Sequence, residues 1–427
     1  MKTNQIKGIR AQIFHFISKD QYEFFEDGLL IMDHGLVKAL GSYKDLKSQW
    51  SSQVVIEHYR DRILMPGFID AHIHGVQTAV MASYGADLLQ WLKEYTFPLE
   101  NQFSDADFAK KATHFFFRQM LKNGTTTAAI YSSVHQESIV AIMEEALRLN
   151  MRIQAGKTNM DRNAPANLCE ATNETFKIGE ELIQKYEGKG RLNYLLTPRF
   201  AITSTPEQLQ QLQLLKEKYP HIGVQTHISE NHEEIESTKN LFPDRKDYLD
   251  VYEHYDLVEK NTLLGHAIHF SVDEWKRVKE SNASLVHCPT SNLFLGSGLF
   301  NLQKAWEEDI PLALASDVGG GMSFSMLKTA AAAYQVAALR GYKATALQLF
   351  YLLTLGGARA MGLDDKIGNF EIGKEADFIL LDSSNIELVD ERLKTAKTLE
   401  EKLFAILILG DDRLMDSVWL MGESVEF

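Results

Sequence analysis

At 427 residues the chain is long enough for a large enzyme core with an accessory unit, and its formal net charge of −14 argues against a nucleic-acid or anionic-membrane partner. Only Cys169 and Cys288 are present, too few for a disulfide framework, so a reducing, cytoplasmic setting is expected. The opening stretch MKTNQIKGIR lacks the apolar core of a signal peptide, and no apolar run reaches membrane-spanning length.

Residues 1–65 read as strands: IKGIRAQIFHF, then LLIM and LVKAL about the turn Asp33-His34-Gly35, then VVIEHYRDRILM. His15, His34 and His58 lie there without acidic or histidine companions at ligand spacing and are read as structural. The next run, PGFIDAHIH, ends in two histidines one residue apart. On a strand the side chains repeat with period two, so His72 and His74 share a face and can share one ion; a helix would separate them.

From there apolar runs alternate with helix-like segments. TTTAAIY, RIQAGKT, LNYLLTP, GVQTHIS, NTLLGHA, SLVHCP and PLALASD bring the strand count to eight. DADFAKKATHFFFRQMLKN, ESIVAIMEEALRLN and TPEQLQQLQLLKEKY carry helical periodicity between them. The pattern predicts an α/β protein with a (β/α)8 barrel over residues 66–364. A doubly wound sheet lacks support because no Gly-rich fingerprint follows the first strand. From about residue 365 the pattern returns to strands, EADFILLD and the hairpin SVWLMGESVEF. Each flanking piece is too short to bury a core, so residues 1–65 and 365–427 are expected to pair into one small β-sandwich.

In such a barrel the chemistry sits at the C-terminal ends of the strands. His72 and His74 end the first strand, His227 the fifth, His266 the sixth and Asp317 the eighth. Together His72, His74, His227 and Asp317 offer three imidazole nitrogens and a carboxylate to one divalent ion; zinc suits the set and iron would accept it. Glu230, three residues after His227, can lean over the ion without binding it, as a proton shuttle for a ring nitrogen and a departing amine. His266 and Asp317 can take the proton of the attacking water.

These motifs carry a resemblance. PGFIDAHIH, HISE, GHA, HCPTSN, SDVGGG and GKEADFILLD resemble the amidohydrolase superfamily through nearly the whole barrel. HIHGVQ, LLQWLKEYTFPLE, NGTTTAAIY, TPRF and CPTSNLFLGSG with SDVGGGMSFSML are more similar to its guanine deaminase branch. The resemblance implies one zinc per chain on the four ligands above, conversion of guanine to xanthine and ammonia, and a homodimer. It also implies that Gln77, Arg199 and Phe200 hold the purine. Chemically, Arg199 is donor-only, so it satisfies the guanine O6 acceptor and would face the amino donor of adenine; Gln77 offers donor and acceptor to the adjacent ring edge.

Rival readings are narrowed by residues. Small zinc deaminases need H-x-E with P-C-x-x-C, which two distant cysteines cannot supply. Dinuclear relatives bridge two metals with a modified lysine ending strand four, where this chain has Thr197-Pro198-Arg199; Lys157 lies one strand earlier. Another aminated or chlorinated heterocycle, or a non-catalytic scaffold, stays open. His287, His269 and Gly319 to Gly321 are read as structural and His232 as a helix cap. Trp91 and Phe97 are read either as a lid or as packing.

Overall fold

The apolar runs assemble into two sheets in the computed structural model, which describes residues 6–51, 54–84 and 88–426. Residues 1–5 of the MKTNQIKGIR stretch and Phe427 of the last hairpin lie outside the described residues. The N-terminal strands are β1 (Lys7–Ser18), β2 (Gln21–Asp33), β3 (Leu36–Ser42) and β4 (Val55–Pro66). They are followed by β5 (Phe68–His74), β6 (Thr125–Tyr131), β7 (Arg152–Gly156), β8 (Thr158–Asn159) and β9 (Leu192–Pro198). Next come β10 (Gly223–Ile228), β11 (Thr262–His266), β12 (Ser284–His287) and β13 (Leu312–Leu314). The chain closes with β14 (Phe378–Leu381), β15 (Met415–Leu420) and β16 (Glu423–Val425).

Eight of these, β5, β6, β7, β9, β10, β11, β12 and β13, lie side by side in chain order, with short β8 paired on β9. The Asp317 amide donates to the His72 carbonyl at 2.9 Å, which brings the end of the eighth unit back to the first strand. This is the expected (β/α)8 barrel. Every residue of β5, β6 and β7 is buried, because helices cover the outside of a parallel sheet. The helices begin where the sequence places caps. Asp105 accepts from the Asp107 and Phe108 amides to start Ala106–Lys122, and Thr205 with Pro206 at the first turn starts Pro206–Lys218. Ile69, Ala71, Leu195, Leu263, Val286 and Ala313 fill one end of the barrel, plugged by Met361, Leu363 and Ile367. That end is dry, and the polar strand termini gather at the other.

The remaining strands form one seven-stranded sheet, ordered β16-β15-β14-β4-β1-β2-β3, so both chain ends contribute as expected. Its hairpins turn at His34-Gly35 and Met421-Gly422, all four at positive φ (53°, 79°, 50° and 68°), which matches the twist of the flanking strands. Between β14 and β15 the structure departs from the all-strand expectation, with helices Glu387–Lys394 and Leu399–Leu409. Leu403, Ile406 and Leu407 join the core cluster that holds barrel helix Met326–Leu339. A helix apolar on several sides shows neither a stripe nor alternation, so LEEKLFAILIL hides its period.

A buried ion cluster ties sheet to barrel. Arg152, opening β7, and Arg191, just before β9, both grip Glu375; Arg191 also pairs with Asp377 and donates to the Asn150 carbonyl at 2.8 Å. Asp377 in turn accepts from the Met421 amide at 2.9 Å. Removing one partner leaves buried charge uncompensated, which costs about 3–5 kcal/mol. Arg191→Ala is therefore expected to lower the midpoint of thermal unfolding by several degrees, with Arg191→Lys intermediate; calorimetry of the three proteins checks it.

Candidate active site

The site starts from an irregularity in β5. Its pairing with β6 steps from Asp70 opposite Ala128 to Ile73 opposite Ile130, three residues against two. The extra residue resets the alternation: Ile69 and Ala71 pack in the barrel's dry end, while His72 and His74 meet the other polar strand ends. Next door, a Cβ on Gly265 of β11 would lie 2.8 Å from the His72 ring, so only glycine lets that imidazole take its place.

The Nε2 atoms of His72 and His74 lie 3.2 and 3.1 Å from Nε2 of His227. Oδ1 of Asp317 is 3.5 Å from His72 Nε2 and 3.4 Å from His74 Nε2. Ligands about 2.0–2.1 Å from a tetrahedral ion sit roughly 3.3 Å apart, so the spacing fits a single divalent ion. Protonation fits as well. Burial pushes His74 and His227 well down and His72 down, keeping their lone pairs. Burial pushes Asp317 up, but the hydrogen bond from His72 and the neighbouring imidazoles outweigh it and hold the carboxyl below its usual range. His227 Nδ1 donates to the Arg199 carbonyl at 2.7 Å, which leaves the Nε2 lone pair available toward His72 and His74. Cys288, not among the residues singled out by spacing, places its sulfur within 4.8 Å of side-chain donor atoms of His72, His266 and Asp317.

His266 and Glu230 stand beside this group. His266 Nε2 is 3.7 Å from Glu230 Oε2 and 3.8 Å from Asp317 Oδ2, and makes no hydrogen bond of its own. Its Nδ1 donates to Asn292 Oδ1 at 2.8 Å. Burial favours the neutral ring, yet Glu230 and Asp317 outweigh it and raise His266. Burial likewise raises Glu230, whose Oε1 accepts from the Ser297 hydroxyl at 2.8 Å. Ser229, His266, Ala267 and Asp317 all take positive φ (50°, 71°, 50° and 48°), so the backbone is strained where the strands deliver these groups.

A narrow cleft opens onto this group and is lined by Gln77, Trp91, Leu92, Arg199, Phe200 and Leu295 as well as by Glu230 and His266. All the residues singled out in the sequence for metal, proton transfer and base recognition thus meet in one place. Trp91 lines the cleft, while Phe97 packs under the Arg199 guanidinium, 5.5 Å from its ring centre. A Cβ on Gly319 would fall 2.0 Å from Gln77 Oε1, so the glycine tract makes room for this amide. The helix after β10 is capped by Asn231, whose side chain accepts from the Glu234 amide; His232 is its first residue and not the cap, since an imidazole is no substitute for a short acceptor. His287 stacks on Phe300 with ring centres 4.7 Å apart, and Lys157 is locked in a buried pair with Glu170. Glu100, Asn292 and Ser297 were missed. Glu100 is an acid inside an apolar stretch, which is a signal; Asn292 in the short helix Pro289–Phe294 and Ser297 in the loop after it stand at spacings that say nothing of their partners.

The Amidohydrolase family model matches residues 63–425. The chain belongs to the amidohydrolase family. As an amidohydrolase it is 44% identical to guanine deaminase of Escherichia coli (strain K12), over 94% of this chain and 92% of that one. The solved E. coli guanine deaminase covers 99% of both chains with a TM-score of 0.96 and 41% identity. Guanine deaminase from C. acetobutylicum, solved with bound guanine in its active site, covers 99% of this chain and 100% of that one, with a TM-score of 0.92 and 30% identity.

Replacing His227 by Ala is expected to lower bound divalent metal from about one equivalent per chain to a small fraction, by elemental analysis, while the far-UV spectrum stays unchanged.

Proposed function

We propose that this amidohydrolase hydrolyses guanine to xanthine and ammonia. The observation that carries the reading is the convergence of Glu230, His266 and the four candidate ligands at one end of a cleft whose other side carries Gln77, Arg199 and Phe200. The full-length likeness to guanine deaminases, one of them solved with guanine, supports the same substrate.

His72, His74, His227 and Asp317 would hold the ion, and the donor set favours zinc. When bound, it supplies Lewis acidity that makes water a nucleophile at neutral pH. The protein's own groups do the rest. Asp317 and the open Nε2 of His266 take the proton that water loses as its oxygen bonds to C2 of the base. Glu230, raised by burial and steadied by Ser297, gives its proton to the ring nitrogen beside C2. As the C2–N bond breaks, the proton collected by His266 and Asp317 passes through Glu230 to the departing amine, and the C2 hydroxyl returns its proton to Glu230 as the carbonyl of xanthine forms. Arg199 donates to O6, Gln77 meets the adjacent ring edge and Phe200 covers the base; in the free protein Phe200 packs near His227, with ring centres 6.5 Å apart. Adenine would set its amino donor against Arg199.

Zinc, a homodimer and a cytoplasmic location belong to the same proposal. They are supported by the donor chemistry, by the resemblance and by two unbridged cysteines. No helix among the described residues is long and apolar enough to cross a membrane.

Guanine turnover, followed by absorbance and ammonia with metal analysis on the same sample, tests the reading; a metal-loaded protein inert toward guanine would overturn it. Glu230→Gln is expected to keep its metal and lose at least about a thousandfold in kcat. For Arg199→Ala, kcat/KM for guanine is expected to fall about a hundredfold or more, since the buried O6 acceptor goes unpaired.

A further inference from the structure

The two side chains assigned to reading the base converge on a third residue. Glu100 ends the short helix Phe97–Glu100 and is completely buried. Its Oε1 accepts from Gln77 Nε2 at 2.8 Å, and both its oxygens accept from Arg199 Nη1, at 2.9 and 2.7 Å. The segment that carries it is anchored: the Ser133 hydroxyl, just past β6, donates to the Glu100 carbonyl at 3.3 Å. Upstream, the chain makes a wide π turn over Leu92–Thr96, a departure from α geometry that often accompanies functional sites.

We infer that Glu100 is the positioning residue that sets guanine selectivity, by fixing which face of the Gln77 amide and which part of the Arg199 guanidinium meet the base. This inference rests on the guanine reading above. An amide can present either its oxygen or its nitrogen, and nothing in glutamine itself chooses. An ionised carboxylate only accepts, so it binds Nε2 and turns Oε1 away, toward Gly319 at the cleft. Oε1 then accepts from a ring N–H and opposes a ring nitrogen lone pair. Arg199 reaches Glu100 through Nη1 alone, so the ion pair aims the guanidinium without consuming its second amino group. Guanine offers, side by side, the acceptor O6 and the donor N1–H; 2,6-diaminopurine offers the reverse, an amino donor and a bare N1. Both carry the same 2-amino group over the reacting centre. A single buried carboxylate therefore writes the donor-acceptor order of the recognition edge.

The test compares kcat/KM for guanine and for 2,6-diaminopurine in the metal-loaded wild type, Glu100→Gln and Glu100→Asp. Neutral Gln at 100 can itself donate, which frees the Gln77 amide to turn and releases Arg199. In Glu100→Gln the guanine preference is expected to shrink by about tenfold or more, mostly through KM, with metal content unchanged. Glu100→Asp keeps an acceptor-only group, so whatever activity it loses, its preference is expected to stay within about threefold of the wild type. An unchanged preference in Glu100→Gln overturns the inference while guanine deamination stands, as does a preference lost equally in Glu100→Asp, which also decides the matter if Glu100→Gln does not fold. A wild type that does not favour guanine overturns the substrate reading itself.

Discussion

The structure depends on holding the three imidazoles of His72, His74 and His227 and the Asp317 carboxylate together, His227 and Asp317 each 3.1–3.5 Å from the other two rings, where burial disfavours charge on the imidazoles. Such a cluster is unfavourable in itself, since packed lone pairs face one another in a low dielectric. Much of the surrounding architecture answers to it. The bulge in β5 brings two successive inward positions to the same end, glycine at 265 leaves space for the His72 ring, and Asp317 is tied by its amide to the His72 carbonyl. Asp70 makes the same seam rigid by accepting from both the amide and the hydroxyl of Ser316. Positive φ at His266 and Asp317 is strain that these bonds over-determine.

Charge divides the cleft into two halves. On the side of His72, His74, His227 and Asp317, burial and proximity act against each other: burial raises Glu230, while Glu230 and Asp317 outweigh burial and raise His266. On the recognition side the charges cancel, since Arg199 is paired with Glu100 and stacked on Phe97. A neutral heterocycle entering the cleft thus meets directional donors and acceptors on one side and proton chemistry on the other.

How much of this was legible in the sequence depended on the range over which each signal acts. Period-two spacing placed His72 and His74 on one face, and both still meet the other polar strand ends although the pairing of β5 shifts between Asp70 and Ile73. The eight strands and their capped helices were readable because alternation, Asp105 and Thr205 are local features. The helix Leu399–Leu409 was not, since packing against other helices makes it apolar on several sides. Nor were the partners of the site residues. Ser297 steadies Glu230 from 67 positions away, and Glu100 reaches Arg199 across 99, distances over which no spacing rule operates. The helix cap was misassigned by one residue, to His232 in place of Asn231, because the helix start is not marked in the sequence as closely as the capping bond marks it.

Stability and chemistry are concentrated at opposite ends of the barrel. The Arg152, Arg191, Glu375 and Asp377 cluster sits where β7 and β9 begin, alongside the apolar plug of Met361, Leu363 and Ile367. The ligands and the cleft sit where the strands end. Parallel strands, buried over nearly all of their length, transmit position between the two ends but leave few shared partners, so energetic effects at one end should add to those at the other with little coupling. A strained, charge-rich site is tolerated because the end that locks both termini of the chain to the barrel contains neither the strain nor the reacting groups. The terminal sheet follows from the same arrangement: β4 leads into β5 through a single residue, Gly67, whose amide donates to the Asp377 carbonyl at 3.1 Å. The register of the first ligand strand is thereby fixed from the stable end, before any ion or substrate arrives.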